Sequence, residues 1–268
     1  MQDELALSSY VDLDDENARK RNSWKMLVSF VVLTVLYALW PLVSHLSKFW
    51  YIKDLLIIVL TLVLASLLLH LCRTTKVLQE RMRAGKAQKI WSWILLIVGV
   101  PYIISILLAP IMQITHMAIN KIISMFAIAL MAGVIEELLF RDLLFNSLLS
   151  FFYHNKNRFL IAGLISSILF GCMHLINLAH QPLQSTVGQV IFAFTTGLIL
   201  IYLRLLSNNI VWCMVLHFFI DFKPLILTSN TGSHNIPLVK VFLAVLPLMI
   251  LAIICLWLFN RQYLKMNK

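Results

Sequence analysis

Acidic side chains are scarce in this chain, with twelve Asp and Glu in 268 residues. Six of them, Asp3, Glu4, Asp12, Asp14, Asp15 and Glu16, fall in the N-terminal stretch. Asp54 and Glu80 lie at or beyond the ends of apolar runs, which leaves Glu136, Glu137, Asp142 and Asp221 for the apolar body. Charged residues of both signs make up only 13%, against 60% hydrophobic residues and a mean hydropathy of +0.87. A soluble domain of this length could not bury that much apolar surface, so soluble classes are excluded. Cysteine is equally thin: Cys72, Cys172, Cys213 and Cys255 are scattered, with no CxxC pair. That excludes a disulfide framework, and all four read as small apolar filler. No small-residue cleavage site follows the first apolar run, which is therefore read as a retained helix and not a signal peptide. Repeats and low-complexity segments are also missing, which points to one domain.

What remains is a series of apolar runs, at about 24–44, 52–72, 90–112, 122–150, 159–179, 187–206, 209–227 and 238–259. Each supplies about the twenty residues needed to cross the hydrocarbon, the seventh only just. Lipid offers no partners for backbone N–H and C=O groups, so these runs must be helices. The expected fold is all-α, a polytopic membrane bundle of about eight transmembrane helices. Pro41 closes the first run, Pro182 follows the fifth, and Pro224 and Pro237 bracket the last external loop.

Eight crossings put both termini on one side, and the basic residues choose which. With the N-terminus inside, sixteen Lys and Arg fall in cytoplasmic segments, five in external ones, and Arg141 within a span. Such a bias is the signature of cytoplasmic loops, so both termini are expected to be cytoplasmic. The same clustering explains the net charge of +10. Lys and Arg sit just beyond apolar runs, where they mark topology and touch anionic headgroups. They are not interleaved with aromatics along one face, so the partner is the lipid bilayer and not nucleic acid. Residues 1–18 are expected to form a flexible acidic tail, and 19–268 a single membrane-embedded domain. Within it, the long loop at about 73–89, rich in Arg, Lys and Gln, is expected to be an amphipathic or helical arm.

Three short polar patterns fall in three different runs: Glu136-Glu137-x-x-x-Arg141, Phe170-x-x-x-His174 and His217-x-x-x-Asp221. Ionisable groups inside a span are costly and mark function by default. Helical spacing puts Glu137 and Arg141 on one face, where they can pair, and turns Glu136 about 100° away. One carboxylate is thus held by an internal arginine and its neighbour is left for chemistry, as a general base would require. Phe170 lies one turn from His174, and His217 one turn from Asp221. Counted from the cytoplasmic helix ends, Glu136 lies about 24 Å deep and His174 about 22 Å. His217 comes out shallower, at about 12 Å, and Asp221 at about 18 Å. Small residues at Ala129-x-x-x-Gly133 and Ser167-x-x-x-Gly171 suit close helix packing beside these motifs.

EExxxR, FxxxH and HxxxD, in that order on successive apolar helices, resemble the CPBP family of intramembrane proteases. That family takes in the type II CAAX prenyl endopeptidases and the abortive-infection and bacteriocin-immunity relatives. The resemblance covers about residues 120–225, and it implies roles. Glu136 with His174 would activate a water, His217 and Asp221 would stabilise the tetrahedral oxyanion, and Glu137, Arg141 and Phe170 would support the site. Many relatives carry Asn at the position of Asp221. An ionised Asp cannot donate to an oxyanion, so Asp221 is expected to hold the His217 tautomer and leave donation to the imidazole.

Glu136, His174 and His217 could also bind a divalent metal such as zinc and leave a position for water. There is no HExxH, and a metal-free mechanism stays open beside it. The leading reading is an intramembrane endopeptidase acting on a peptide or protein substrate at the membrane, in a bacterial cell membrane. The alternative is a non-catalytic membrane protein: an immunity factor, scaffold or signalling partner. A proton-coupled transporter ranks lower, since no inverted repeat is visible.

Overall fold

The computed structural model describes residues 15–45, 47–114, 116–222 and 237–266. The acidic stretch before residue 15 and most of the expected last external loop, Lys223 included, lie outside them. Nine α-helices occur among the described residues: α1 (Glu16–Ala38), α2 (Trp50–Cys72), α3 (Lys86–Ile114), α4 (Ile119–Met131), α5 (Phe145–Phe151), α6 (Arg158–Met173), α7 (Leu183–Ser207), α8 (Val211–Asp221) and α9 (Leu238–Met266). Short 3₁₀ turns cover Trp40–His45, at Pro41, and His174–Ala179, which carries the fifth apolar run to its expected end. Seven helical stretches among the described residues are long and apolar enough to cross a membrane. The seventh apolar run, marginal in length, forms the 11-residue α8 within the described range.

The fourth run departs from a plain α-helix. Between α4 and α5 the chain winds as a π-helix over Ala132–Leu144, so Ile119–Phe151 is one continuous rod. This wider winding, with i→i+5 hydrogen bonds, is rare and concentrates at functional sites. It holds EExxxR, and all but one of its residues are buried. The segment packs against α1, α2 and α8, while α6, α7 and α9 form a second packed group. The outer faces of α1, α2 and α3 expose rows of Val, Leu and Ile, as lipid-facing helices do.

Small residues set how closely the elements approach, as the sequence suggests. A Cβ on Gly133 would stand 2.9 Å from the Phe218 amide nitrogen and 3.0 Å from the Met214 carbonyl oxygen, so α8 runs directly over that glycine. A Cβ on Gly171 would reach the Val190 carbonyl at 3.0 Å, and one on Gly197 would reach Ser167 at 3.1 Å. Backbone contact of this kind replaces the hydrophobic drive that helix association lacks in lipid.

The segment between α2 and α3, residues 73–85, forms no helix, contrary to the arm expected there. Its Arg and Lys suggest a solvated helix, but Val77, Leu78 and Met82 are buried and fasten it to the bundle. Asn208, in the left-handed conformation that ends α7, completes the clasp. Its Oδ1 accepts from the amides of Val77 (3.0 Å) and Leu78 (2.9 Å), and its Nδ2 donates to the Leu78 carbonyl (2.8 Å). Asn visits that backbone region more readily than most residues.

Candidate active site

Burial makes each carboxylate of the π-helical segment need partners, because an unpaired buried charge is very costly. Glu136 is 7% exposed and Glu137 fully buried. The hydroxyl of Tyr37, on α1, donates to Glu136 Oε1 at 2.7 Å. Glu136 Oε2 faces His217 Nε2 at 3.7 Å. Glu137 Oε1 sits between two cations or donors, Arg141 Nη1 at 3.0 Å and His217 Nδ1 at 2.7 Å. The i,i+4 pairing of Glu137 with Arg141 therefore persists in the wider winding, and it extends to a second helix.

His217 is gripped from both sides of its ring. Nδ1 meets Glu137, and Nε2 has Asp221 Oδ2 at 3.4 Å as well as Glu136. The carboxylate closest to the imidazole is thus Glu137, not Asp221, and an Nδ1–H donated to Glu137 fixes the ring. Counted from Asn209 His217 is shallower than Glu136, but the two side chains face each other at 3.7 Å, so the fold carries them to one level.

Phe170 and Arg141 bind the FxxxH motif to this cluster. The Arg141 guanidinium lies 3.8 Å over the Phe170 ring, a cation–π contact worth about 2 kcal/mol when desolvated. The same ring meets His174 and His217 edge-on, with centroids 5.2 and 5.7 Å away. His174 is only partly buried, and its Nδ1 lies 3.0 Å from the Phe170 carbonyl oxygen. A carbonyl only accepts, so Nδ1 carries the hydrogen in that bond, and in the neutral ring Nε2 has the lone pair. Glu136, Glu137, Arg141, Phe170, His174, His217 and Asp221 therefore come from three stretches far apart in sequence into one connected cluster.

Two features of the cluster have no local pattern in the sequence. Tyr37 is 99 residues from Glu136, in a run whose hydropathy says only that it crosses the membrane. Asp142 forms a second, fully buried pair with Arg204 of α7 at 2.6 Å, and Asn146 Nδ2 donates to the same Asp142 oxygen at 2.6 Å. Arg204 is thus not one of the cytoplasmic loop cations that it counts among in sequence, and fifteen remain against five.

The metal reading finds no support in the donor geometry. Among the described residues no three His, Cys, Asp or Glu side chains form a group that could hold an ion. Glu136, His174 and His217 therefore do not form such a ligand set.

Residues 118–223 match the family model described as type II CAAX prenyl endopeptidase Rce1-like. That interval spans the π-helical segment, Phe170, His174, His217 and Asp221, and excludes Tyr37. No curated protein and no solved structure matches.

Proposed function

We propose, for a chain that belongs through its motif-bearing core to the CPBP family of CAAX-type membrane proteases, that Glu136 and His174 activate the water that cleaves a peptide bond within the membrane. The observation that carries this reading is the environment of Glu136. One oxygen is anchored by Tyr37, and the other is turned toward the imidazole of His217. A carboxylate so held in a water-poor site is preorganised to take a proton from a water that approaches Oε2. His174, with its Nε2 lone pair free of the Phe170 carbonyl, is the second acceptor for that water.

As the water attacks, negative charge develops on the carbonyl oxygen and needs a donor. His217 supplies it from Nε2 when that nitrogen carries a proton, flanked by Glu136 and Asp221 as acceptors. Asp221, ionised, donates nothing itself. It holds the Nε2 proton in place instead. Glu137, Arg141 and Phe170 fix the ring positions on which this depends. The substrate is a peptide or protein tail at the membrane, of the prenylated CAAX kind that the family implies.

The test is cleavage of an internally quenched, farnesylated CAAX peptide by the full-length protein in lipid nanodiscs. Glu136→Gln and His174→Ala should each reduce turnover at least a hundredfold while the proteins accumulate normally. Wild-type turnover in either variant would overturn the assignment. An inactive wild-type protein would reject this substrate class.

A further inference from the structure

Away from the Glu136 cluster, two cavities follow one another along the groove between α3 and α9. The first, about 290 Å³, lies where α3 begins and α9 ends, and its wall carries Lys86, Arg261, Lys265, Gln88 and Gln262. The second, about 270 Å³, is walled by apolar side chains of α3, α7, α8 and α9, among them Leu95, Ile199, Leu216, Ile220 and Leu248. Gln88 of the first and Ser92 of the second are one turn apart on α3, about 6 Å by helical rise. Ser92 Oγ donates to the Gln88 carbonyl at 2.6 Å, linking the two lining residues along α3.

Each cavity specifies its occupant. The apolar one offers about 270 Å³ and is partly open at its side, room for a stretch of hydrocarbon chain. Three of its hydroxyls are already engaged, Ser92 with Tyr202 and Thr195 with the Ile191 carbonyl. Water would find few partners there, whereas a hydrocarbon chain needs none. The polar cavity gathers three cations and no acid in its wall. It also contains the first turn of α3, whose backbone N–H groups lack intrahelical acceptors and favour an anion. Gln88 adds an independent sign. It is 2% exposed, its side chain reaches the Tyr202 hydroxyl, and its Oε1 has no hydrogen-bond partner among the described residues. A bare anion would leave that acceptor unmatched, and a donor next to the anion would satisfy it. Trp257 lies beneath the Arg261 guanidinium at 4.7 Å, so an aromatic ring packs against the basic end of the groove.

We propose that the α3–α9 groove is a binding site for an anionic glycerophospholipid with a hydroxyl-bearing headgroup. Lys86, Arg261, Lys265 and the start of α3 hold the phosphate, Gln88 accepts from the headgroup hydroxyl, and one acyl chain fills the apolar cavity. Basic pockets between spanning helices recognise anionic headgroups in this way. The chain end of the site touches Leu216 and Ile220, each next in sequence to His217 and Asp221, so an occupied groove braces the back of α8.

The test needs no cleavage assay and stands apart from the proteolytic reading. The full-length protein, purified and delipidated in neutral detergent, is titrated with phosphatidylglycerol, phosphatidylcholine or inorganic phosphate, and binding is read by native mass spectrometry and thermal shift. Phosphatidylglycerol should bind at least tenfold more tightly than phosphatidylcholine. The triple variant Lys86→Gln, Arg261→Gln, Lys265→Gln should lose that preference. Gly99→Leu, whose side chain enters the apolar cavity from α3, should weaken both lipids. Equal affinity for the two lipids overturns the proposal, and so does retention of the preference by the triple variant. A thermal shift with inorganic phosphate as large as that with phosphatidylglycerol assigns the pocket to free phosphate and also overturns it. If the triple variant does not fold, the comparison of lipids on the wild-type protein decides.

Discussion

Removing a single oxygen atom from Tyr37 probes the reading of Glu136 most directly. In Tyr37→Phe the ring keeps its packing, and only the hydroxyl that donates to Glu136 Oε1 at 2.7 Å is lost. A hydrogen bond to a charged group contributes about 1.5–3 kcal/mol, and each 1.36 kcal/mol is tenfold in rate. If that bond orients the base in the transition state, kcat should fall about 10- to 150-fold, with KM changed little. The direction follows from the geometry. Without its donor the carboxylate is no longer held with Oε2 toward His217, and Oε1 is left buried and unsatisfied. Single-turnover cleavage of the quenched CAAX peptide in nanodiscs separates the chemical step from binding, and a thermal melt checks that the bundle is intact. A Tyr37→Phe protein with wild-type kcat and unchanged melting would refute the idea that α1 positions Glu136. A merely structural tyrosine would instead lower the melting temperature and leave kcat per folded molecule unchanged.

Two further outcomes follow from the packing. Gly133→Val should separate α8 from the π-helical segment at a cost of about 1–3 kcal/mol, typical of overpacking; cleavage should fall further than in Gly133→Ala, and equal activity in both variants would contradict the close approach of α8. Arg204→Met leaves Asp142 buried without its partner, a loss of about 3–5 kcal/mol. Adding Asp142→Leu should recover much of it, and a double variant as unstable as the sum of the singles, measured by denaturation in detergent, would argue against a coupled pair.

The spans were legible in sequence because the bilayer acts as a solvent with one strict demand, and apolar length meets it. Hydropathy does not report winding, however, so Ala132–Leu144 read as an ordinary helix and its π character had no signal. EExxxR, FxxxH and HxxxD were legible as chemistry because charged groups stand out against apolar sequence, and the fold gathers them. Depth was less legible. Counting from Asn209 set His217 about 12 Å shallower than Glu136, whereas their side chains face each other at 3.7 Å. Residues 73–85 misled for a related reason: their Arg, Lys and Gln dominate the composition, but the three buried apolar side chains decide the conformation. Tyr37 was beyond reach, because nothing in the first run distinguishes a tyrosine that faces lipid from one that faces a carboxylate 99 residues away.

The contact between α1 and Glu136 also bears on how this protein could be rebuilt. Residues 118–223 carry the family match and every motif, and would be the natural cassette to graft between homologues. Tyr37 lies outside that cassette, yet its hydroxyl touches the proposed base. A chimaera that imports the cassette alone would inherit whatever side chain its host presents from the first helix. Hosts with a phenol or another donor at that point should yield working hybrids, and hosts with an aliphatic residue should yield folded but slow ones.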